Sequence, residues 1–377
     1  MGGDLRFVIL TRDVVEALLP QLSALSATEE WLAWRPEQFL IDLPRKWELS
    51  RAVYEGDTLV GYCLASVRGR FMWVHRFIVG SKVRSKGIGA RLIDEMQRLS
   101  SELGLKGILL KTPNNNDRGL AFYRRLNFSD ASVSDGHVLL RRLNPGEEFA
   151  VAIHQPNYVP WLGYFYKISQ CDAFIFLDDV VFPKGSFVNR NRICINNAAA
   201  WLTVPLTRGL DTKIVDAHSS GDWVPKHLRT LEMNYKRAPF FSAYFPGLGE
   251  TLERHKDSNV AELNSALVRL VASWLGINRL FYSSSEFEAS GTGDERLVSL
   301  VRHLGGDVYI SGSGGANYQA QETFDLAGIN LKYSKFKVTP YRQISSEFIP
   351  NLSVLDALFN IGGGGIAELF SQVGSEG

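Results

Sequence analysis

The sequence predicts an α/β protein of two domains, and three observations support this fold class. A strand-like apolar run at 71–79 precedes a glycine turn and a helical pattern. Between Ala152 and Val180, a strand, a proline-stiffened loop, a helix and a second strand follow one another. The chain has 377 residues, of which 45% are hydrophobic and 21% are charged, so it can build two or three domains with a core each.

The helix after the glycine turn is predicted from its periodicity. Apolar residues recur at spacings of three and four while polar residues fill the other face; the apolar set is Leu92, Ile93, Met96, Leu99 and Leu103. The turn from Arg84 to Ala90 lets the backbone approach a ligand closely, and the helix start offers unpaired amides. This arrangement predicts a site for the pyrophosphate of an acyl-CoA.

Two other phosphate-binding motifs are excluded. The dinucleotide-binding pattern G-x-G-x-x-G requires a third glycine, whereas Ala90 and Arg91 follow Gly89 and that glycine is missing. A P-loop is excluded because no Gly-Lys-Ser/Thr ends the turn.

The stretch from Trp73 to Phe128 resembles the core of the GCN5-related N-acetyltransferase (GNAT) superfamily, whose signature is R/Q-x-x-G-x-G/A. The matching residues are Arg84, Gly87 and Gly89. The segment 116–128 is similar to the family pattern N-x-x-A-x-x-x-Y-x-x-x-G-F, with Asn127 in place of the glycine. Asparagine tolerates the left-handed conformation, so we expect Asn127 to adopt it at a helix end.

The resemblance implies an α+β GNAT fold, with a mixed sheet in which the strand ending at Val79 splays from its neighbour. Amides near Phe77 and Val79 would then bind the pantetheine arm and the thioester carbonyl. It also implies acetyl-CoA or another acyl-CoA as cofactor and an amine as acceptor. The predicted cofactor-binding residues are Phe77, Val79, Arg84, Lys86, Gly87, Ile88, Gly89, Ala90 and Asn116.

The catalytic residues implied for this domain are Tyr123 and His75. Tyr123 stands where the family often keeps a phenol that protonates the departing thiolate; the alternative is a half-buried aromatic with no chemical role. Trp73 stands near a position where several members carry a base carboxylate, so the base is His75, water or an acidic residue of the first helices. The acidic candidates are Glu29, Glu30, Glu37 and Asp42.

A domain boundary is predicted within 141–148. Polar and turn-forming residues there separate two strand-like segments, Ser132 to Leu143 and Phe149 to His154. The predicted domains are therefore 1–145 and 149–377.

Polar side chains follow both strands of the predicted βαβ unit in the second half. His154, Gln155 and Asn157 follow the first strand, while Asp178 and Asp179 follow the second. Ligands collect at the carboxyl ends of parallel strands. We therefore consider His154, Asp178 and Asp179 catalytic candidates, with Gln155, Asn157 and Tyr158 as substrate-binding residues. Alternatively, His154 only caps its loop.

Arg190 and Arg192 alternate along a predicted strand, which places both on one face. They form either a clamp for a carboxylate or phosphate or a solvated edge. No metal site is predicted, because too few oxygen or imidazole ligands can be placed together. Of the glycine-rich segments, 311–315 is interpreted as a flexible turn and 362–365 as a helix stop, and the aromatic residues at 161–166 as core.

The second half also resembles the WbqC-like family. The opening H-Q-P-x-Y-x-P-W-x-G-Y/F is met at 154–164 and the following D-D-V-x-F at 178–182, and later segments are similar as far as Asn360. The resemblance predicts an α/β WbqC-like domain. The family occurs among genes for surface polysaccharide and specialised-metabolite assembly, which implies a biosynthetic role without naming a reaction.

The two resemblances together imply a bifunctional biosynthetic enzyme. An N-acyltransferase would acylate an amino sugar or an amino-acid-derived metabolite, and the WbqC-like domain would act on the same pathway intermediate. Two alternatives stay open: an acyl carrier protein or aminoacyl-tRNA donor, and a non-catalytic acyl-CoA-binding module attached to a WbqC-like enzyme.

Composition limits the partners and the compartment. A net charge of +1 argues against DNA as a partner, and no apolar run of about 18 residues suits a membrane span. No signal-peptide pattern is found, and the three cysteines Cys63, Cys171 and Cys194 are too few for a disulfide framework. These features predict a cytoplasmic protein, and the GNAT resemblance implies a small-molecule amine as its partner.

Overall fold

The chain folds into two compact units, each with a sheet and helices, and the predicted α/β fold class is confirmed. The computed structural model describes residues 5–26, 34–134, 136–207 and 211–374. One unit comprises 1–148 and 303–305, and the other 149–302 and 306–377.

The first unit is built on a seven-stranded sheet with the strand order β1-β2-β3-β4-β5-β7-β6. The strands are β1 Leu5–Ile9, β2 Arg51–Glu55, β3 Thr58–Arg68, β4 Phe71–Val79, β5 Gly107–Pro113, β6 Ser129–Ser134 and β7 His137–Leu143. The helices are α1 Arg12–Ser26, α2 Pro36–Phe39, α3 Lys46–Leu49, α4 Ile88–Glu102 and α5 Asp117–Arg125, with a 3₁₀ turn at Ser81–Val83.

Three local predictions for this unit are confirmed by the structure and one is wrong. The strand at 71–79 and the helix after the glycine turn are confirmed as β4 and α4. Asn127 has a φ of 62°, so the expected left-handed conformation is confirmed. The single strand-like segment from Ser132 to Leu143 is wrong: the chain reverses near Gly136, whose φ of 69° suits a tight turn, and forms the hairpin β6–β7.

The predicted splay is confirmed in the middle of this sheet. The parallel strands β4 and β5 pair only from Met72↔Ile108 to Val74↔Leu110, although β4 continues to Val79. A bulge between Leu64 and Ala65 interrupts the pairing of β3 with β4 at the same level. Beyond Val74, therefore, the facing edges of β4 and β5 no longer pair with each other.

The two faces of the sheet bury separate cores. Apolar residues of α4 and α5, such as Leu92 and Leu120, pack on one face with Phe77 and Val79 of β4. On the other face, residues of α1 and α2 pack with Ile78. Successive residues of β4 thus contact different cores.

The second unit contains a five-stranded sheet and two small two-stranded sheets. Its strands are β8 Ala150–His154, β9 Ala173–Phe176, β10 Arg190–Ile195, β11 Ala198–Thr203, β12 Leu206–Thr207, β13 His218–Ser219, β14 Leu280–Ser283, β15 Val308–Gly312 and β16 Asn330–Ser334. Its helices are α6 Leu162–Gln170, α7 Val224–Tyr235, α8 Phe241–Arg254, α9 Val260–Trp274, α10 Gly293–His303, α11 Gln321–Leu326 and α12 Val354–Gly374. Three 3₁₀ turns lie at Ile214–Asp216, Ser284–Glu286 and Ser313–Asn317.

The five strands of the larger sheet are all parallel, in the order β14-β9-β8-β15-β16. The predicted βαβ unit is confirmed as β8, α6 and β9. From β8 the chain adds β9 and β14 on one side and then β15 and β16 on the other. The strand order therefore reverses between β8 and β15.

Aromatic residues of α6 belong to the core of this unit, as predicted. Tyr164, Phe165 and Tyr166 are buried, and the ring of Tyr164 lies 5.4 Å from that of Phe174. The predicted helix stop at 362–365 is confirmed at Gly362, whose φ of 68° is non-helical: one helical stretch of α12 ends there and a second continues to Gly374. The three cysteines are buried free thiols.

Across the described part of the chain, no helix has both the length and the apolar character that a membrane crossing requires.

Candidate functional site

The separation of β4 from β5 opens a cleft of about 850 Å³ in the first unit. The walls come from β4, the glycine turn, the start of α4, the end of β5 and α5. The lining residues are His75, Arg76, Phe77, Ile78, Val79, Val83, Arg84, Ser85, Gly87, Gly89, Ala90, Lys111, Thr112, Pro113, Asn116, Arg118, Gly119, Phe122, Tyr123, Arg125, Leu126 and His137.

Two glycines shape the end of this cleft for different reasons. Gly87 caps α4 in the left-handed conformation, with a φ of 78°, which side chains rarely adopt. At Gly89, a Cβ would lie 3.0 Å from Cζ of Phe122, so a side chain there would require the Phe122 ring to shift. The first amides of the 15-residue α4 have no partner within the helix and carry the positive end of its dipole. An anion is therefore favoured at this end of the cleft.

Most of the predicted cofactor-binding residues line the cleft, and two do not. Ile88 is buried in the core beneath α4, because its position lies on the apolar face of the helix. Lys86 is exposed, and its Nζ lies 3.8 Å from Oε2 of Glu55. Residues that line the cleft and that the sequence did not single out include Lys111, Arg118 and Arg125. Their charges add to that of Arg84.

Asn116 supports the cleft wall through hydrogen bonds. Its Oδ1 accepts from the amide of Gly119 at 3.0 Å, which caps α5, and its Nδ2 donates to Oγ1 of Thr112 at 2.9 Å. Both polar atoms are thus used within the protein. Asn116 fixes the start of α5 against β5 and thereby places Tyr123.

Tyr123 lies at the aromatic wall of the cleft. Its ring centroid is 5.2 Å from that of Phe122, 5.4 Å from that of Phe128 and 6.1 Å from that of Phe77. Burial raises the pKa of Tyr123 well above its usual value, with a smaller contribution from Cys63. The phenol therefore keeps its proton at neutral pH and presents it as a donor.

His75 lines the same cleft and is neutral at physiological pH. Its Nε2 lies 2.8 Å from Oγ of Ser66. Burial, followed by the charges of Lys46 and Arg68, lowers its pKa to about 4. A base with so low a pKa accepts a proton poorly near pH 7.

The acidic candidates for the base lie elsewhere. Glu37 and Asp42 do not line the cleft, and Asp42 accepts hydrogen bonds from Arg12 at 2.9 Å and from Trp47 at 2.6 Å. Glu29 and Glu30 fall outside the described residues.

Arg76 is a buried cation in the cleft wall. Only 6% of the residue is exposed, and its guanidinium carbon lies 4.9 Å from the ring centroid of Trp34. Its Nε and Nη2 atoms are buried and find no hydrogen-bond partner among the described residues. Burial lowers the pKa of Arg76, because the charged form is poorly solvated, and the neighbouring hydroxyl of Tyr62 opposes this shift by a smaller amount. The sequence offered one signal that was missed, a lone arginine in an otherwise apolar stretch of β4.

In the second unit, His154 is not paired with the predicted aspartates. Its Nδ1 lies 3.1 Å from the carbonyl oxygen of Gln155. Asp178 instead accepts hydrogen bonds from Ser284 at 3.0 Å and from the amide and hydroxyl of Ser285 at 2.9 and 2.8 Å. Asp179 accepts from Ser284 and forms an ion pair with Arg296.

These bonds correct the proposed role of the two aspartates. Both carboxylates follow the end of β9, which stops at Phe176, and they join this end to the turn after β14. Their oxygen atoms are used by serine and arginine donors. Asp178 and Asp179 therefore hold the strand ends together and are not acid–base partners of His154.

Tyr158 is also reassigned, because only 1% of it is exposed. Its hydroxyl donates to Nδ1 of His227 at 2.9 Å, so it is a core residue and not a substrate contact. Asn157 is buried in the same loop, whereas Gln155 is partly exposed.

The two predicted clamp arginines lie on β10, outside the five-stranded sheet. Arg190 stacks on Trp201, with its guanidinium carbon 4.4 Å from the ring centroid, and donates to the carbonyl of Gly185 at 3.0 Å. Arg192 donates to the carbonyl of Asn351 at 3.4 Å. Both side chains thus contact other parts of the protein, and the structure does not join them to His154 in one site. Among the described residues, no group of histidine, cysteine and acidic side chains is placed to hold a metal ion.

The two halves of the chain match two different protein families. Residues 13–128 match the Acetyltransferase (GNAT) family, and residues 155–367 match the WbqC-like protein family. The chain is 34% identical over 216 residues to the uncharacterized protein Rv1507c of Mycobacterium tuberculosis, a match that covers 56% of this chain and 94% of the relative.

Similar solved structures are N-acetyltransferases. The PaiA N-acetyltransferase of Thermoplasma acidophilum, crystallised with coenzyme A, is 16% identical, with a TM-score of 0.34 over 37% of this chain and 99% of its own. Ard1 of Thermoplasma volcanium is 20% identical, with a TM-score of 0.32 over 38% of this chain and 98% of its own. The family matches, which agree with both resemblances in the sequence, identify the chain: it belongs to the WbqC-like protein family and carries before that part a GNAT acetyltransferase domain, which makes it an acyltransferase.

Proposed function

We propose that the first unit transfers an acyl group from acyl-CoA to the amine of a small metabolite that also carries a carboxylate. The observation that supports the transfer is the continuity of the cleft, which joins the separated edges of β4 and β5 to the glycine turn and the start of α4. A volume of about 850 Å³ falls in the range of roughly 300–1,000 Å³ that is usual for ligand pockets.

Different residues of the cleft bind different parts of the acyl-CoA donor. The first amides of α4 and the charge of Arg84 bind the pyrophosphate, and the open backbone edges of β4 and β5 take the extended pantetheine arm as an added strand. Arg118 and Arg125 on α5 supply further positive charge. Acyl-CoA supplies an activated thioester, whose acyl carbon gains a bond to the amine nitrogen as its bond to sulfur breaks.

Tyr123 is the residue that we assign to the leaving group. Its raised pKa lies above the pKa of about 8.5 of an ordinary thiol, so complete proton transfer to the thiolate is uphill. Tyr123 therefore acts chiefly as a hydrogen-bond donor that stabilises negative charge on sulfur. A phenylalanine at this position would keep the packing and lose the donor.

The acceptor amine enters without help from a strong base. With a pKa of about 4, His75 is a weak acceptor of the amine proton, and a water molecule carries the proton away. An α-amino group has a pKa of about 8, so the neutral, reactive form grows as the pH rises towards that value. We expect kcat/KM to increase from pH 6 to pH 8 with the ionisation of the amine.

Arg76 favours one of the two acceptor classes that the sequence left open. Among the described residues no carboxylate pairs with this buried guanidinium, and a ligand carboxylate can pair with it through two parallel hydrogen bonds. Arg76 lines the cleft and packs on the face of β4 opposite to Phe77. This placement supports an amino-acid-derived acceptor rather than an amino sugar.

The test is turnover and binding with the full chain. Acetyl-CoA binding is measured by calorimetry, and release of CoA is measured with amino acids, their amides and amino sugars. We expect saturable binding and turnover with acids that exceeds turnover with the matched amides. Binding without turnover by any amine would support the non-catalytic alternative, and no binding of acetyl-CoA would contradict the donor.

The proposal extends to a second donor, a shared pathway and a cellular location. The basic rim of the cleft also suits an acyl carrier protein, so kcat/KM for acetyl-CoA is compared with that for the acetylated carrier. The linkage of two units in one chain raises the effective concentration of one product for the other site, which supports a shared biosynthetic intermediate. The three free thiols fit a reducing compartment and support a cytoplasmic location.

A further inference from the structure

The parallel sheet of the second unit opens where its strand order reverses. β8 stays paired with β9 as far as His154↔Phe176, and β15 with β16 as far as Gly312↔Ser334. β8 and β15, however, pair only as far as Ala152↔Ile310. A crevice therefore lies between the carboxyl ends of β8 and β15. In open parallel sheets, such a reversal is where ligands bind.

The opening leaves identifiable backbone groups unpaired by the sheet. Along β8, the carbonyl of Phe149 accepts from Val308 of β15, whereas that of His154 accepts from Leu177, after β9. Because carbonyls alternate in direction along a strand, the carbonyl of Ile153 points towards β15. The next sheet bond would come from the amide of Gly312, but pairing ends before it. At Gly312, a Cβ would meet no atom within 4 Å, so this side of the strand is open.

Lys167 occupies the place of the missing amide. Its Nζ donates to the carbonyl of Ile153 at 3.0 Å, and only 3% of the residue is exposed. Besides this bond, Nζ lies 5.8 Å from the ring centroid of Phe174, and burial lowers the pKa of Lys167 to about 7. The protonated form of Lys167 keeps two further donors, and the negative charge of an anionic ligand would stabilise it.

His154 lies beside this lysine in a fixed tautomer. A carbonyl oxygen only accepts hydrogen bonds, so the contact with Gln155 requires the proton on Nδ1 and leaves a lone pair on Nε2. The hydroxyl of Tyr164 donates to the same carbonyl at 3.0 Å, and its ring lies 4.9 Å from that of His154. Burial and the charge of Lys167 lower the pKa of His154 to about 3, so the ring stays neutral.

We propose that the crevice between β8 and β15 is a second ligand site, for a small metabolite that carries an oxyanion next to a hydroxyl or amine. The oxyanion, a carboxylate or a phosphate, binds Nζ of Lys167 and the amide of Gly312. The neighbouring hydroxyl or amine donates to Nε2 of His154. This site is independent of acyl transfer in the first unit.

The experiment follows the ring nitrogens of His154 by NMR in the full chain labelled with ¹⁵N-histidine. His154→Gln assigns the signal, and the probes are acetate, glycolate and inorganic phosphate. Glycolate has the carboxylate of acetate and one added hydroxyl, so we expect it to bind several-fold more tightly. A saturable shift with phosphate and not with the two acids identifies phosphate as the oxyanion. No saturable shift with any of the three probes overturns the proposal.

Two substitutions test the assignment of the binding groups. Lys167→Met removes the ammonium and should abolish the shift, whereas Lys226→Met on the exposed side of α7 should leave it unchanged. Gly312→Leu places a side chain in the open space beside the Gly312 amide at a φ of −73°, which any residue adopts, so it should hinder the probes without unfolding the protein. A shift that persists in Gly312→Leu contradicts the site even where Lys167→Met fails to fold.

Discussion

At the scale of single residues, buried charge decides which side chains the chain can use for binding. Arg76 and Lys167 are both buried cations without a bonded carboxylate in the described part of the chain, whereas Lys46 is buried with its Nζ at 2.7 Å from the carbonyls of Phe39 and Ile41. Arg76 and Lys167 therefore keep hydrogen-bond donors for a ligand. Lys46 uses its donors to fix the loop after α2.

Arg76→Met should raise KM for carboxylate-bearing amines by ten- to a hundredfold and leave KM for acetyl-CoA unchanged. The reason is that a charge-assisted pair with a carboxylate contributes about 1.5–3 kcal/mol. Steady-state kinetics with an amino acid and its amide measure the effect. Arg91→Met on the exposed side of α4 is the control, and an equal loss with the amide would exclude recognition of the carboxylate.

Tyr123→Phe should lower kcat by roughly 10- to 100-fold while the affinity for acetyl-CoA changes little, because one hydrogen bond to the leaving sulfur is lost and the ring packing is kept. Calorimetry and single-turnover kinetics separate binding from chemistry. An unchanged kcat would remove Tyr123 from the mechanism.

The buried imidazole of His227 should make the second unit lose stability as the pH falls. Its pKa is lowered to about 4 from 6.5, mainly by burial, so between these values the unfolded state binds more protons than the folded one. The stabilisation is complete above pH 6.5 and is lost as the pH falls to 4, by on the order of 2–3 kcal/mol. Thermal unfolding from pH 7 to pH 4 measures it, and His227→Gln should reduce the dependence, while His154, whose pKa is also lowered by burial, keeps the remainder.

Residue types alone could not distinguish sites from structural bonds at the strand ends. His154 and Asp178 were equally plausible from the sequence, since both follow apolar strands. Only the three-dimensional partners show that Ser284 and Ser285 use the carboxylate whereas Nε2 of His154 stays available. Arg76 was missed because sequence shows neither the burial of a side chain nor the absence of its partner.

At the scale of secondary-structure elements, local signals were reliable where a strand or helix has a strong pattern. β4 was predicted to its observed ends, and the glycine turn was placed correctly before α4. The hairpin β6–β7 was missed although the sequence carries a strong turn signal there, the dipeptide Asp135-Gly136 between two strand-like segments. The glycine run in α12 was correctly predicted to interrupt a helix, but only Gly362 takes a non-helical conformation, so the second helical stretch after it was not foreseen.

Gly87→Ala should weaken acetyl-CoA binding, and Gly56→Ala is its matched control. Both glycines have positive φ, 78° and 60°, and in both cases a Cβ meets no atom within 4 Å. Each change should therefore cost about 1 kcal/mol of stability through backbone strain. Only Gly87 lines the cleft, so only its substitution should alter the calorimetric affinity. Equal affinities in the two variants would argue against a role of this turn in binding the donor.

At the scale of the whole molecule, the order of the two domains was evident from the sequence, but the strand order within them was not. β15 lies more than 150 residues after β8 in the chain and still becomes its neighbour. Periodicity reports local structure only, so the pairing of distant strands, and with it the crevice at Gly312, required the structure.

The two proposed sites should respond independently to substitution. Gly312→Leu should leave the calorimetric affinity for acetyl-CoA unchanged, and Tyr123→Phe should leave the His154 NMR response to glycolate unchanged. The expectation rests on the division of the chain into two compact units with separate cores. A loss at the site of the other unit in either variant would show coupling between the units.

The unpaired edges of β4 and β5 have a consequence for the abundance of the protein. A donor that pairs with these edges binds the native chain and not the unfolded one, so its binding stabilises the native state. At a donor concentration of about 100 times Kd, the native state gains about 2.7 kcal/mol. In a cell depleted of acyl-CoA, the first unit would unfold more often and be degraded sooner, so the supply of the metabolite sets how much enzyme survives.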